Sequence, residues 1–201
     1  TGPTAHLPAV SFADWTQQLP EQLRAQPPQP TAILLNSLEA VRSVYYDFDW
    51  VNNLPTDRPI TLVVDDSHGL GVLNDGCGIW PALPNRPTIT RIVTASLAKA
   101  MGLPGGVVLS DTDTLAAVRK TAFFGACSPM APAFLGAFEK AIPLYTDGRN
   151  RLMTNIALAE KHLLPTGLFT HAAGYPVFFT EQNDLYTYLL KAGILIYSFA
   201  Y

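Results

Sequence analysis

The stretch ITLVVDDSHG, residues 60–69, decides the fold of this chain. Its first half is a continuous apolar and β-branched run without alternation, which predicts a strand covered on both faces, as in a parallel sheet flanked by helices. Its second half places two acids, a serine and a histidine in a turn directly after that strand. Further along the chain, Lys99 lies in a segment of small residues, ASLAKAMG (residues 95–102).

Two other runs, TAILLN (31–36) and ITRIVT (89–94), repeat the pattern of a strand buried on both faces. A fourth strand is predicted over residues 105–110. The connection that precedes this strand is too short for a helical crossover, so it should run antiparallel to its neighbour. The fold class predicted is α/β, a mostly parallel sheet flanked by helices, followed by the start of a small α+β domain.

The rest of the chain is predicted to be mainly helical. Residues 1–147 are predicted to form the large-domain core, and 148–201 a linking helix and a partial small C-terminal domain built as strand, helix and strand. Helices are expected at 12–24 (interrupted by Pro20), 113–121, 131–144, 149–164 and 181–191, and the two C-terminal strands at 175–180 and 194–201.

Composition narrows the classes of function. Of 201 residues, 48% are apolar and only 14% are charged, below the usual quarter or so, which suggests an oligomer or a piece of something larger. A net charge of -3 gives no electrostatic case for nucleic acid or an anionic membrane, and apolar runs are broken before membrane-spanning length. Two cysteines without metal-ligand or disulfide spacing favour a reduced, cytoplasmic protein.

Polar residues follow three of the predicted strands: Asn36, the turn 65–68 and the segment 94–99. Ligands of open α/β sheets collect at such carboxyl ends. An acid that pairs with a pyridine nitrogen and an amine that forms a Schiff base together suggest a pyridoxal phosphate (PLP) site. Asp65 and Lys99 would take these roles, with Ser96 on the phosphate and His68 near the phenolic oxygen.

Two other interpretations stay open at this stage. Asp-Asp-Ser-His after a strand is often only a turn closed by side-chain hydrogen bonds. Asp65, Asp66 and His68 are also possible metal ligands, but no further His or carboxylate cluster completes a shell, and no metal is expected.

Three segments resemble the α-oxoamine synthases of the fold-type I PLP enzymes, a family related to the class I/II aminotransferases. They are VVDDSHGLGVLNDGCG (63–78), ITRIVTASLAKAMGLPGGVVLSD (89–111) and FFGACSPMAPAFLGAFEKA (123–141). The resemblance implies that Asp65 pairs with the pyridine nitrogen, His68 lies at the ring, Lys99 is the Schiff-base lysine and Ser96 binds phosphate. Asn36 falls where the family has Glu, Ala40 where it has a serine, and Ser128 in an element that reaches the partner subunit's phosphate.

The family's activity is an acyltransferase reaction, the decarboxylative condensation of an amino acid with an acyl-CoA by a homodimer. Aminotransferase activity and a non-catalytic interaction domain are the alternatives. The family's upstream Gly-rich phosphate turn and its small-domain arginine have no match in this chain, which we therefore expect to be a truncated homologue or a fragment.

Overall fold

The computed structural model describes residues 11–198, and a four-stranded sheet lies at its centre. The strands of this sheet are β1 (Thr31–Asn36), β4 (Ile60–Asp65), β5 (Ile89–Ser96) and β6 (Gly106–Leu109), in that spatial order. The first three are parallel, and β6 is antiparallel to β5. The predicted α/β fold with a mostly parallel sheet is confirmed. A separate hairpin joins β2 (Leu38–Glu39) to β3 (Val44–Tyr45).

The core of the sheet explains why these runs form strands. The side chains of Leu62, Val64 and Val51 are fully buried, and Ile60 and Val93 are 1% exposed. At about 25 cal/mol per Å² of apolar surface, such burial is the main gain that offsets the cost of ordering the chain.

The first helix, α1 (Phe12–Arg24), packs on this core through Leu19 and Leu23. The Ser11 hydroxyl caps it by accepting from the Asp14 N–H at 3.1 Å. The expectation that Pro20 interrupts the helix is wrong. The proline is buried with the two leucines, and this packing outweighs the backbone hydrogen bond that a proline cannot donate.

The later helices differ from the predicted bounds at several points. They are α2 (Thr112–Arg119), α3 (Ala122–Ala126), α4 (Pro132–Lys140), α5 (Ile142–Leu163) and α6 (Asn183–Lys191). Asp111 caps α2 by accepting from the Thr114 N–H at 2.8 Å. The short α3 was not expected, and the two helices predicted at 131–144 and 149–164 meet at Ala141 instead, because α5 continues through Gly148.

Contacts divide the described chain into two compact units, residues 11–38 with 46–142, and residues 39–45 with 143–198. The boundary lies within α5, as does the predicted domain boundary at 147/148. No helix among residues 11–198 is long and apolar enough to cross a membrane.

In the second unit the contact between the partly exposed Glu160 and the buried side chain of His171 holds the segment after α5. Glu160 accepts from His171 Nε2 at 2.8 Å and from the Gly174 N–H at 2.9 Å. The strands predicted at 175–180 and 194–201 are wrong within the described residues: only Phe179 pairs, with Thr170, and 194–198 are irregular. A strand needs a partner along its length, and Pro176 removes a donor from the first of these runs. Residues 199–201 lie outside the described part.

Candidate functional site

The carboxyl ends of three parallel strands meet at one edge of the sheet. Asn36, Asp65 and Thr94 lie in register on β1, β4 and β5. The backbone continues this ladder one residue further, since the Ser37 N–H donates to the Asp65 carbonyl at 2.9 Å and the Asp66 N–H to the Thr94 carbonyl at 2.7 Å. The polar residues that follow the three strands are therefore neighbours, as the sequence predicts.

Asp65 presents an ionised carboxylate at this edge. Its side chain is exposed, and its Oδ1 accepts from the Ser67 N–H at 2.9 Å. Burial of part of the carboxyl raises the pKa of Asp65, but the hydrogen bonds from Ser67 and the positive charges of Lys99 and His68 outweigh it and hold that pKa below its ordinary value. An electrostatic coupling thus joins the three residues expected to form the site.

Lys99 lies in a tight turn, residues 97–102, which we call the lysine loop. Ser96, at the end of β5, accepts from the Ala98 N–H through its hydroxyl at 3.2 Å. The Leu97 N–H donates to the Gly105 carbonyl at 3.0 Å, and the Gly102 N–H donates to the Lys99 carbonyl at 3.1 Å. The side chain of Lys99 is exposed, so a small molecule can reach its amine.

Ser67 connects residues 65–68, which we call the acid turn, to the lysine loop, a role that the sequence interpretation missed. Its hydroxyl accepts from the Ser96 N–H at 2.9 Å. The contact spans two elements far apart in the chain. The only signal in the sequence was a hydroxyl residue in the acid turn.

Asp66, unlike Asp65, points into the protein and is 1% exposed. Its Oδ2 accepts from the Ile79 N–H at 2.7 Å. The Ser37 hydroxyl faces it without hydrogen-bond geometry, since neither Ser37 Oγ nor Asp66 Oδ1 has a hydrogen-bond partner among the described residues. Burial raises the pKa of Asp66. The nearby Ser37 hydroxyl and the hydrogen bond from the Ile79 N–H oppose this rise, and the charge of Asp65 adds to it.

The segment that follows, residues 69–78, is a compact turn that we call the glycine loop. Backbone hydrogen bonds close it, among them Gly71 N–H to the Gly76 carbonyl at 3.0 Å. Gly71 has φ +85° and lies against the lysine loop: a β-carbon added there would be 2.6 Å from Ala100 Cβ. The glycines of the resemblance thus have a packing role that spacing alone could not reveal.

The remaining candidate residues are placed as follows. His68 is exposed in the acid turn, and Asn36 is exposed in register with Asp65. Ser128 is exposed in the loop between α3 and α4, and no described contact brings it to the strand ends. Ala40, which stands where the family has a serine, lies in the turn between β2 and β3 and has no hydroxyl to offer.

The metal interpretation gains no support from the described part of the chain. Among residues 11–198, no group of three or more His, Cys, Asp or Glu side chains is arranged to hold an ion. Of its three candidate ligands, Asp66 is committed to the Ile79 N–H instead.

Residues 10–195 match the family described as aminotransferase class I and II. Because the match covers most of the chain, the protein belongs to this family, which is PLP-dependent. The family and the cofactor predicted from the acid turn and the lysine are thereby confirmed.

Among curated proteins, the chain is similar to 8-amino-7-oxononanoate synthases. It is 27% identical over 147 residues to a protein of Methanococcus aeolicus provisionally given that name, covering 70% of this chain and 39% of that protein. It is 38% identical over 82 residues to the synthase of Mycobacterium bovis, covering 40% of this chain and 21% of that one. The matches therefore span well under two thirds of these relatives' length.

Solved structures show the same fold. A serine palmitoyltransferase of Sphingomonas wittichii superimposes with a TM-score of 0.71 at 18% identity, over 90% of this chain and 49% of that one. The 8-amino-7-oxononanoate synthase of Francisella tularensis gives a TM-score of 0.66 at 20% identity, over 92% of this chain and 58% of that one. At these identities the likeness shows a shared fold.

Proposed function

We propose that this chain carries the ring-nitrogen and lysine side of a PLP site in an enzyme of the α-oxoamine synthase type. Asp65 would pair with the pyridine nitrogen, Lys99 would hold the cofactor covalently through Nζ, and His68 would lie near the phenolic oxygen. Ser96 would donate to the phosphate, with Asn36 and Ser128 as further contacts. The observation that carries the proposal is that the acid turn and the lysine loop follow adjacent parallel strands, with Asp65 in register with Thr94 and the Ser67 hydroxyl accepting from the Ser96 N–H at 2.9 Å.

The donor set fits the cofactor. A pyridine nitrogen that carries a proton needs an anion opposite it, and the lowered pKa of Asp65 keeps its carboxylate ionised. An aldehyde needs a reachable amine, and Lys99 is exposed. Both groups lie at the edge of the sheet where ligands of α/β folds bind.

When bound, PLP supplies an electron sink for a carbanion at the substrate's α-carbon. The chain's own residues serve that chemistry in three ways. Asp65 keeps a proton on the ring nitrogen by accepting its hydrogen bond. Lys99 Nζ would be the base that takes or returns a proton. His68 would stabilise negative charge on the phenolic oxygen.

For the whole protein we propose the condensation of an amino acid with an acyl-CoA, which releases CO₂ and free CoA, in a cytoplasmic homodimer. The names of the curated relatives support this reaction over simple transamination. The chain covers only part of those relatives, so amino acid, acyl donor and dimer belong to the proposal.

A PLP titration followed by absorbance tests the site directly. Wild type should develop the visible band of lysine-bound PLP, and Lys99→Ala should lack it. Lys120→Ala is the matched control, because Lys120 is also an exposed lysine and follows α2, and it should behave as wild type. A wild type without the band would refute the site and favour the non-catalytic interaction domain.

The reaction class needs a second assay with the loaded protein. Amino acid and acyl-CoA together should release CoA and CO₂ in equal amounts. Formation of a keto acid from the amino acid without CO₂, dependent on an added 2-oxo acid that accepts the amino group, would identify an aminotransferase instead.

A further inference from the structure

We infer that Asp66 is a positioning residue: it fixes the glycine loop, and the glycine loop fixes the lysine loop beside Lys99. The inference rests on the proposed role of Lys99 as the residue that holds the cofactor. Asp66 itself would touch neither cofactor nor substrate, because its side chain is buried.

The first step is that Asp66 forms hydrogen bonds with both ends of the glycine loop. Its carbonyl accepts from the Gly69 N–H at 3.0 Å and from the Leu70 N–H at 2.9 Å, where the loop begins. Its carboxylate accepts from the Ile79 N–H at 2.7 Å, directly after the loop ends. One residue therefore holds both ends of the loop.

The fit around the carboxylate is tight. A β-carbon added at Gly69 or at Gly78 would overlap the Asp66 carboxylate oxygens. The two glycines close over this side chain from both ends of the loop, so the carboxylate also sets how far the loop can move.

The second step is the contact between the two loops. The β-carbon that Gly71 lacks would lie 2.6 Å from Ala100 Cβ, whereas carbon atoms pack at about 3.5–4.0 Å. A side chain at position 71 would therefore push Ala100, and Lys99 with it, by about 1 Å. A displacement of about 1 Å can cost about 100-fold in rate when a reacting group must be held in place.

The third step is that the lysine loop is held on both sides of Lys99. Ser67 binds the Ser96 N–H on one side, and the glycine loop meets Ala100 on the other. Ser67 and Asp66 are neighbours in the acid turn that carries Asp65, so this turn sets the spacing between the acid and the amine.

Compensating variants test the contact. Gly71→Ala should slow covalent attachment of PLP to Lys99 about tenfold or more. Gly71→Ala/Ala100→Gly should recover part of that rate, since the second change removes the β-carbon that an alanine at position 71 would strike, while the strain of an alanine at φ +85° remains. Gly167→Ala is the control, because Gly167 has φ +69° and no atom within 4 Å of an added β-carbon.

Asp66 is tested by a pair of substitutions. Asp66→Asn keeps an acceptor for the Ile79 N–H and should load PLP at close to the wild-type rate, whereas Asp66→Ala should load about tenfold more slowly. Loading at the wild-type rate by Asp66→Asn would show that the hydrogen bond to the Ile79 N–H, and not the negative charge of Asp66, positions the glycine loop. Equal loading by wild type, Asp66→Ala and Gly71→Ala would overturn the inference.

Amide hydrogen exchange on the protein without cofactor keeps this inference separate from the proposed function. Gly71→Ala and Asp66→Ala should speed exchange at Leu97 and Gly102 about tenfold, and the double variant should partly reverse it for Gly71→Ala. If wild type fails to bind PLP while this pattern holds, the proposed function fails and the positioning stands. Unchanged exchange in both variants refutes the positioning.

Discussion

The sheet and the helices α2, α3 and α4 bury their apolar side chains to opposite extents. Leu62 and Val64 of β4 are fully buried. The three helices lie wholly within the described residues and contain no buried side chain, and Phe123 is 86% exposed and Leu135 51% exposed. The sheet closes its own core, whereas the helices present apolar surface outward.

This difference separates the sheet, which carries the candidate site, from the three helices, whose apolar side chains are exposed. Asp65 and the lysine loop extend from strands whose packing is complete, so their geometry has a rigid base. Large exposed apolar patches mark contact surfaces. In the proposed homodimer, the partner subunit would cover the apolar side chains that these helices expose.

The largest contrast is expected in stability. Leu62→Ala should lower the free energy of unfolding by about 2–5 kcal/mol, because it empties space in a closed core. Leu135→Ala should change it by no more than about 0.5 kcal/mol. Urea unfolding followed by circular dichroism measures both, and equal losses would break the comparison.

Measurements of self-association test whether the exposed apolar side chains of α2, α3 and α4 form a contact surface. Phe123→Asp should weaken it about tenfold, since a charge replaces an aromatic side chain on the exposed surface. Sedimentation velocity over a concentration series measures the effect, with Phe123→Leu as the control that keeps the surface apolar. Unchanged association in Phe123→Asp would place the contact elsewhere.

A smaller effect is expected from Asp66, and its sign depends on pH. Burial raises the folded-state pKa of Asp66, so the stability linked to its titration is present below the unfolded pKa and is lost as pH rises through the folded pKa. Asp66→Asn cannot titrate. The free energy of unfolding of wild type, relative to that of Asp66→Asn, should therefore fall with rising pH in a series of urea titrations. A relative gain in wild-type stability with pH would show that the carboxylate is stabilised instead.

The smallest effect is expected at Ser67. Ser67→Ala removes the acceptor for the Ser96 N–H, at a cost of about 1 kcal/mol. It also removes one of the hydrogen bonds that lower the pKa of Asp65, so that pKa should rise. An NMR titration of the Asp65 carboxyl follows the shift, and a fall in the pKa would contradict the assigned contact.

The sequence predicts the sheet and the acid turn well, because apolar runs and the residues that follow them are local patterns. It missed the glycine loop, since the contact of Gly71 with Ala100 depends on how distant segments pack. It was wrong at 175–180, where an apolar run suggested a strand but only Phe179 pairs. Propensity alone cannot supply a strand with a partner.

The central claim is that Asp65 and Lys99 form one PLP site, and mapping the lysine that PLP labels tests it most directly. Wild type is mixed with PLP, reduced with borohydride and digested, and the labelled peptides are identified by mass spectrometry. We predict label on Lys99, and much less of it in Asp65→Asn. Label spread evenly over Lys99, Lys120, Lys140, Lys161 and Lys191, or unaffected by Asp65→Asn, would contradict the account.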